Sequence, residues 1–120
     1  MKVQVLFNQT LFRLLFVISI GLVFWGIFRS TPPKELFEQS DKAAHFIAFA
    51  GLSFTGRIAM PKLNAMIYWP VMAGLAFSLE YLQGFVQVSR LSSIEDGVAN
   101  LAGVAIGALA VKIASRKSYE

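Results

Sequence analysis

The chain alternates four long apolar stretches with short polar segments. The apolar stretches cover about residues 11–28, 42–60, 63–83 and 94–114. Each is close to the roughly 20 residues that an α-helix needs to span a hydrocarbon core. Prolines at positions 32, 33 and 61 interrupt helical continuation between the stretches. The pattern predicts an all-α protein, an integral membrane four-helix bundle with short loops, as a single domain over residues 1–120.

Composition strengthens the membrane prediction. Of the 120 residues, 56% are hydrophobic, and the mean hydropathy is +0.60, which exceeds what a soluble domain of this size needs for its core. The absence of Cys excludes disulfides, thiolate metal sites and a Cys nucleophile. The 11 Lys and Arg residues are scattered between apolar blocks and form no basic stripe, so we expect no nucleic-acid partner.

The basic residues predict an orientation. Cytoplasmic loops of membrane proteins carry an excess of Lys and Arg. One face holds the N-terminus, the turn near residues 57–62 and the C-terminus, with seven basic residues: Lys2, Arg13, Arg57, Lys62, Lys112, Arg116 and Lys117. The opposite face holds four: Arg29, Lys34, Lys42 and Arg90. We therefore expect a multi-pass protein of a cytoplasmic membrane with both termini on the cytoplasmic side.

Polar side chains gather at the predicted outer face of the apolar stretches. Ionisable groups near hydrocarbon are costly, about 2.5–3.5 kcal/mol at a helix centre, and they usually mark a functional site. Consecutive spans run in opposite directions, and residues three or four apart share a helix face, so these groups should converge. The predicted ligand-binding residues are Asp41, Lys42, His45, Glu80, Gln83, Arg90, Asp96 and Asn100.

Several of these residues occur in motifs that resemble a known family. The motifs are DKAAHF at residues 41–46, SLEYLQ at residues 78–83, Arg90, and EDGVANLAG at residues 95–103. They are similar to the signature of VanZ-like membrane proteins, and the similarity covers residues 41–107, more than half of the chain. Many members have Pro-Gly before the arginine, where this chain has Val88-Ser89.

The resemblance implies a small multi-helix bacterial inner-membrane protein. The founding member of the family is linked to resistance to the glycopeptide teicoplanin, so the resemblance implies a role in glycopeptide resistance or cell-envelope homeostasis. It implies no particular reaction.

Our first hypothesis is an outward-facing polar pocket that binds an anionic membrane lipid or lipid-linked envelope precursor. Arg90 offers a planar fork to a phosphate or carboxylate, and the start of the fourth helix presents backbone amides at the same face. An alternative for Arg90 is a salt bridge to Asp96 or Glu95 that fixes a loop.

Two other functions remain open at this point. The first is an intramembrane hydrolase or transferase on a lipid-linked substrate, for which His45, Glu80 and Asp96 are the candidate catalytic residues. In the second, the polar residues are an interhelical clamp in a structural assembly protein.

The polar residues and the glycines of the last apolar stretch also bear on metal binding and on oligomerisation. Asp41, His45, Glu80 and Asp96 offer oxygen and nitrogen donors, but no compact metal motif occurs, so we predict no metal and no cofactor. Gly103 and Gly107 form a small-xxx-small pattern that lets a neighbouring helix approach closely. Oligomerisation through that face is therefore also expected.

Overall fold

The computed structural model describes residues 8–28, 40–86 and 94–117. These residues form four α-helices: α1 (Gln9–Phe28), α2 (Ser40–Ala59), α3 (Ala65–Val86) and α4 (Ile94–Lys117). The predicted all-α four-helix fold is confirmed, and each helix boundary lies within three residues of the expected one.

Asparagine caps explain where two of the helices begin. Asn8 Oδ1 accepts a hydrogen bond from the backbone N–H of Leu11 at 3.1 Å. Asn64 Oδ1 accepts one from the N–H of Met66 at 2.9 Å. An Asn side chain at this position satisfies an N–H that has no partner inside the helix. As a result α1 begins two residues before the expected start, and α3 two residues after it.

The α2 helix is the central helix of the bundle. It packs most extensively against α4, then against α1, and it also touches α3, while α3 in turn packs against α4. The buried hydrophobic core lies between these helices and consists of Phe49, Leu52, Tyr68, Met72, Ala76 and Val104. Since α2 is enclosed by its neighbours, it can carry more polar residues than a lipid-facing helix.

Large apolar side chains cover the outside of the other three helices. Leu14, Val17 and Trp25 on α1 are exposed, as are Met66 on α3 and Ile113 on α4. Within the described part of the chain, α1, α3 and α4 are long and apolar enough to cross a membrane. The structure therefore supports a membrane protein, because apolar side chains facing lipid need no further burial. The membrane crossing of α2 and the N-in/C-in orientation remain predictions.

Candidate functional site

Three helices bring polar side chains together at one end of the bundle. His45 lies in the second turn of α2, Glu80 in the later part of α3, and Asp96 in the first turn of α4. Their potential ligand atoms all lie within 4.8 Å of one another. His45 Nε2 is 3.8 Å from Glu80 Oε2, which is ion-pair distance when the imidazole is protonated. The convergence expected from the sequence is thus present for these three residues.

The carboxylates of this group are deeply buried. Glu80 is 2% exposed and Asp96 is 5% exposed, and the His45 side chain is 13% exposed. Burial of an ionised carboxylate is expensive unless cations or hydrogen-bond donors surround it. Lys42 lies beside Asp96 and His45 beside Glu80, so these side chains offset part of that cost.

Lys42 connects the buried acids to the surface. Its Nζ lies 3.8 Å from Asp96 Oδ1 and 3.4 Å from Glu95 Oε2. The Glu95 side chain is 78% exposed, whereas the Lys42 side chain is 33% exposed. The pair with Glu95 is consequently screened by solvent, and exposed pairs of this kind contribute little stability. Lys42 places positive charge at the outer edge of the site.

Asn100 lies one helical turn deeper on the face of α4 that carries Asp96. Its Nδ2 donates a hydrogen bond of 2.8 Å to the backbone carbonyl of Ala76, one turn before Glu80 on α3. The side chain is almost completely buried at 1% exposure. Its Oδ1 is also buried and has no hydrogen-bond partner within the described ranges. Asn100 thus joins α3 to α4 and leaves an acceptor oxygen inside the bundle.

Two glycines allow α4 to approach α2 directly beneath the polar residues. A Cβ at Gly103 would collide with the backbone oxygen of Phe46, and a Cβ at Gly107 would collide with Ser53 Oγ. The predicted close helix approach at these positions is therefore observed. The helix that fits there is α2 of the same chain, because both glycines are buried against it. Oligomerisation through the Gly103/Gly107 face stays a prediction.

Five of the predicted site residues come together in the structure. We call Lys42, His45, Glu80, Asp96 and Asn100 the polar cluster. Asp41 and Gln83 lie on α2 and α3, but their side chains are outside the described part of the chain. Arg90 also lies outside the described residues.

Arg57 is a buried cation at the opposite end of α2. From the sequence it was interpreted only as a topology signal. Arg57 is 5% exposed, and its Nη1 donates hydrogen bonds to the carbonyls of Leu63 and Met60. The guanidinium carbon lies 5.6 Å from the ring centroid of Tyr68, whose hydroxyl donates to the carbonyl of Ser53 at 2.6 Å. A basic residue in the last turn of a helix, just before Pro61, is the signal that could have identified this contact.

The chemistry available in the polar cluster follows from its donor atoms. It contains one imidazole and two buried carboxylates, with an ammonium group at its edge and an amide beneath it. Such a set can exchange protons, and its nitrogen and oxygen atoms can hold a cation.

The fold and this cluster define a helical membrane protein with a buried acid–imidazole group at one end of the bundle. A family model described as VanZ/LLP1 matches residues 3–115, nearly the whole chain. The chain therefore belongs to the VanZ/LLP1 family. No curated protein and no solved structure matches it.

Proposed function

We propose that this protein resides in the bacterial inner membrane and binds the anionic headgroup of an envelope lipid or a lipid-linked envelope precursor at the polar cluster. One observation carries the proposal: His45, Glu80 and Asp96 come from three helices, and their ligand atoms lie within 4.8 Å in a largely apolar protein. Ionisable groups inside a membrane-spanning bundle are rare and are usually retained for function.

The position of the cluster favours an amphiphilic ligand. Asp96 is in the first turn of α4, and His45 is in the second turn of α2, so the cluster lies near one end of the helices. The outer surfaces of α3 and α4 present exposed apolar side chains such as Val71, Leu75 and Ile106. A lipid can therefore place its chains along the bundle and its headgroup at the cluster.

Positive charge at the entrance favours an anionic headgroup. Lys42 is partly exposed and lies between the surface and Asp96. Asp96 lies in the first turn of α4, and a helix N-terminus favours negative charge. Arg90, predicted from the sequence to supply a planar fork, belongs to the proposal as well. A role in glycopeptide resistance or envelope homeostasis is the corresponding cellular proposal, and it rests on the resemblance to the founding member of the family.

A charge-matched pair of variants tests headgroup binding. Lys42→Gln removes the cation at the cluster, while Lys62→Gln removes an exposed cation at the turn between α2 and α3. Purified protein in nanodiscs or detergent is titrated with phosphatidylglycerol, a polyprenyl phosphate and phosphatidylcholine, and bound lipid is counted by native mass spectrometry.

We expect the wild type and Lys62→Gln to prefer an anionic lipid over phosphatidylcholine. Lys42→Gln should weaken that binding roughly three- to tenfold, the effect of about 1 kcal/mol for a partly exposed charge. The two anionic lipids distinguish a general headgroup site from a precursor site. Equal binding of all three lipids, or equal losses in the two variants, would contradict the proposal.

A second candidate function is hydrolysis or group transfer on a lipid-linked substrate. It is favoured by the 3.8 Å separation between His45 Nε2 and Glu80 Oε2, because a carboxylate beside an imidazole can orient it as a general base. His45 would accept the proton of the attacking water or hydroxyl. Lipid profiles of cells that carry wild type and His45→Gln would have to differ, and identical profiles remove this candidate.

A further inference from the structure

We infer that His45, Glu80 and Asp96 form a binding site for one divalent transition-metal cation. The three side chains come from α2, α3 and α4, and they present one imidazole nitrogen and two carboxylate oxygens. All three ligand atoms lie within 4.8 Å of one another. No metal was predicted from the sequence, because the three ligands are separated by 35 and 16 positions and form no compact motif.

The distances are close to those of a coordination sphere. Bonds of about 2.1 Å from a metal to nitrogen or oxygen place two ligand atoms roughly 3.4 Å apart in a tetrahedral site. The observed 3.8 Å between His45 Nε2 and Glu80 Oε2 is only slightly longer. The other ligand atoms lie within 4.8 Å, so a metal would need side-chain rotations that bring them closer by up to about 1.4 Å. The glycine contacts fix α4 against α2 during such rotations.

The charge of the site fits a divalent cation. Glu80 and Asp96 bring two negative charges into the interior, where a single 2+ ion neutralises both at once. Lys42 Nζ approaches Asp96 Oδ1 from the partly exposed edge at 3.8 Å. Coordination to a metal is one of the few arrangements in which buried carboxylates become favourable.

Asn100 supplies an independent observation that points to a ligand. Its buried Oδ1 has no hydrogen-bond partner in the described part of the chain, while its Nδ2 is held by the carbonyl of Ala76. A buried acceptor of this kind needs a donor. Three protein ligands leave coordination positions for water, and a coordinated water is a strong donor that can serve Asn100 one turn below Asp96.

The donor set selects the class of metal. Mg²⁺ and Ca²⁺ prefer all-oxygen ligands, whereas an imidazole with carboxylates suits Zn²⁺, Mn²⁺ or Fe²⁺. The chain has no Cys that would favour a thiolate site. We therefore assign the site to a first-row transition-metal dication with open positions for water or for an oxygen of a ligand.

Cation binding stands independently of the proposed function, but its consequence for headgroup binding rests on that function. Without a metal, acidic side chains outnumber basic ones among the described residues of this region. Glu80, Asp96 and the neighbouring Glu95 lie beside Lys42 and His45. A bound dication neutralises this local negative charge and offers an open position to a phosphate oxygen. The metal would thus make an acid-rich site receptive to an anionic headgroup.

The test uses the full chain, purified in detergent and stripped with EDTA. Zn²⁺ and Mn²⁺ are titrated in by calorimetry, and Co²⁺ is used as a visible-absorption probe of nitrogen and oxygen coordination. The variants are Glu80→Gln and Asp96→Asn, which keep side-chain shape, with Glu95→Gln as a control that removes one exposed acid from the same region.

We expect the wild type and Glu95→Gln to bind one ion per chain. Glu80→Gln and Asp96→Asn should each lose roughly a hundredfold or more in affinity, beyond the 10–100-fold typical of residues that only support a ligand. If one of these two variants fails to fold, the other gives the result. Absence of binding by the wild type, or equal affinity in the wild type and the folded ligand variants, would overturn the inference.

The same samples separate the two proposals. Lipid binding that persists in EDTA, with no metal bound by the wild type, retains the headgroup proposal and eliminates the metal site. Metal binding by the wild type without any preference for anionic lipid retains the metal site and eliminates the headgroup proposal.

Discussion

The two ends of α2 differ in the groups that surround their buried ionisable side chains. At its C-terminal end, Arg57 Nη1 donates hydrogen bonds to the backbone carbonyls of Met60 and Leu63, so this charge is stabilised within one short turn. At its N-terminal end, His45 Nε2 lies 3.8 Å from Glu80 Oε2, and the potential ligand atoms of His45, Glu80 and Asp96 lie within 4.8 Å of one another. The contacts of Arg57 stabilise a local turn. The second arrangement joins three helices and carries the proposed binding site.

The largest effect on stability is expected at the Arg57 end. Arg57→Met removes two charge-assisted hydrogen bonds and the contact with Tyr68. We predict a loss of about 3 kcal/mol in the free energy of unfolding, measured by denaturant titration in mixed micelles. Arg13→Met, on the exposed side of α1, is the matched control and should change stability by less than about 0.5 kcal/mol. Similar losses in the two variants would mean that Arg57 is not a structural residue.

The next largest effect is expected where α4 touches α2. Gly103→Ala places a methyl group against the backbone of Phe46, which cannot rotate away. We predict a loss of about 2 kcal/mol together with weaker metal binding, because α4 must move away from α2. Gly74→Ala on α3 has open space at its Cβ and should be neutral or slightly stabilising. If Gly103→Ala were as stable as Gly74→Ala, the close α2–α4 packing would be incorrect.

A smaller effect is expected for the contact between α3 and α4. Asn100→Leu removes the hydrogen bond to Ala76 but keeps a side chain of similar volume. We predict a loss of about 1 kcal/mol in unfolding free energy, again from denaturant titration. Unchanged stability together with lost metal binding would mean that Asn100 serves only the binding site. A loss above about 3 kcal/mol in unfolding free energy would mean that it mainly holds α3 and α4 together.

Much of the fold could be predicted because hydrophobic periodicity and proline breaks are local features. The caps at Asn8 and Asn64 were not used to place the starts of α1 and α3, although Asn before a helical run is a standard start signal. The central position of α2 could not be predicted from four similar apolar segments. The position of α2 depends on which helices pack together. Gly103 and Gly107 indicated a close helix contact, but they did not indicate which helix makes it.

The convergence of several polar residues could be predicted, but the contacts between them could not. Alternating helix direction is enough to bring His45, Glu80 and Asp96 to one end. The hydrogen bond from Asn100 to the Ala76 carbonyl could not be predicted, because every residue offers a backbone acceptor. The burial of Arg57 could not be predicted for the same reason, because its hydrogen-bond acceptors are backbone carbonyls, which the pattern of side chains does not show.

The central claim is that the N-terminal end of α2 belongs to a binding site, and Glu80→Gln separates this claim from a structural clamp. Gln keeps the shape of Glu80 but carries no charge, so it should preserve packing and lower the cost of burial. Unfolding free energy in the absence of metal should therefore stay within about 1 kcal/mol of the wild type or rise.

The most direct measurement is the thermal unfolding midpoint of wild type and Glu80→Gln, each with EDTA and with excess Mn²⁺. A ligand that binds only the native state raises the midpoint. We predict that Mn²⁺ raises the midpoint of the wild type, and that Glu80→Gln unfolds at the wild-type EDTA midpoint or above it with no response to Mn²⁺. A Glu80→Gln midpoint as low as that of Arg57→Met, with no Mn²⁺ response in the wild type, would contradict the account.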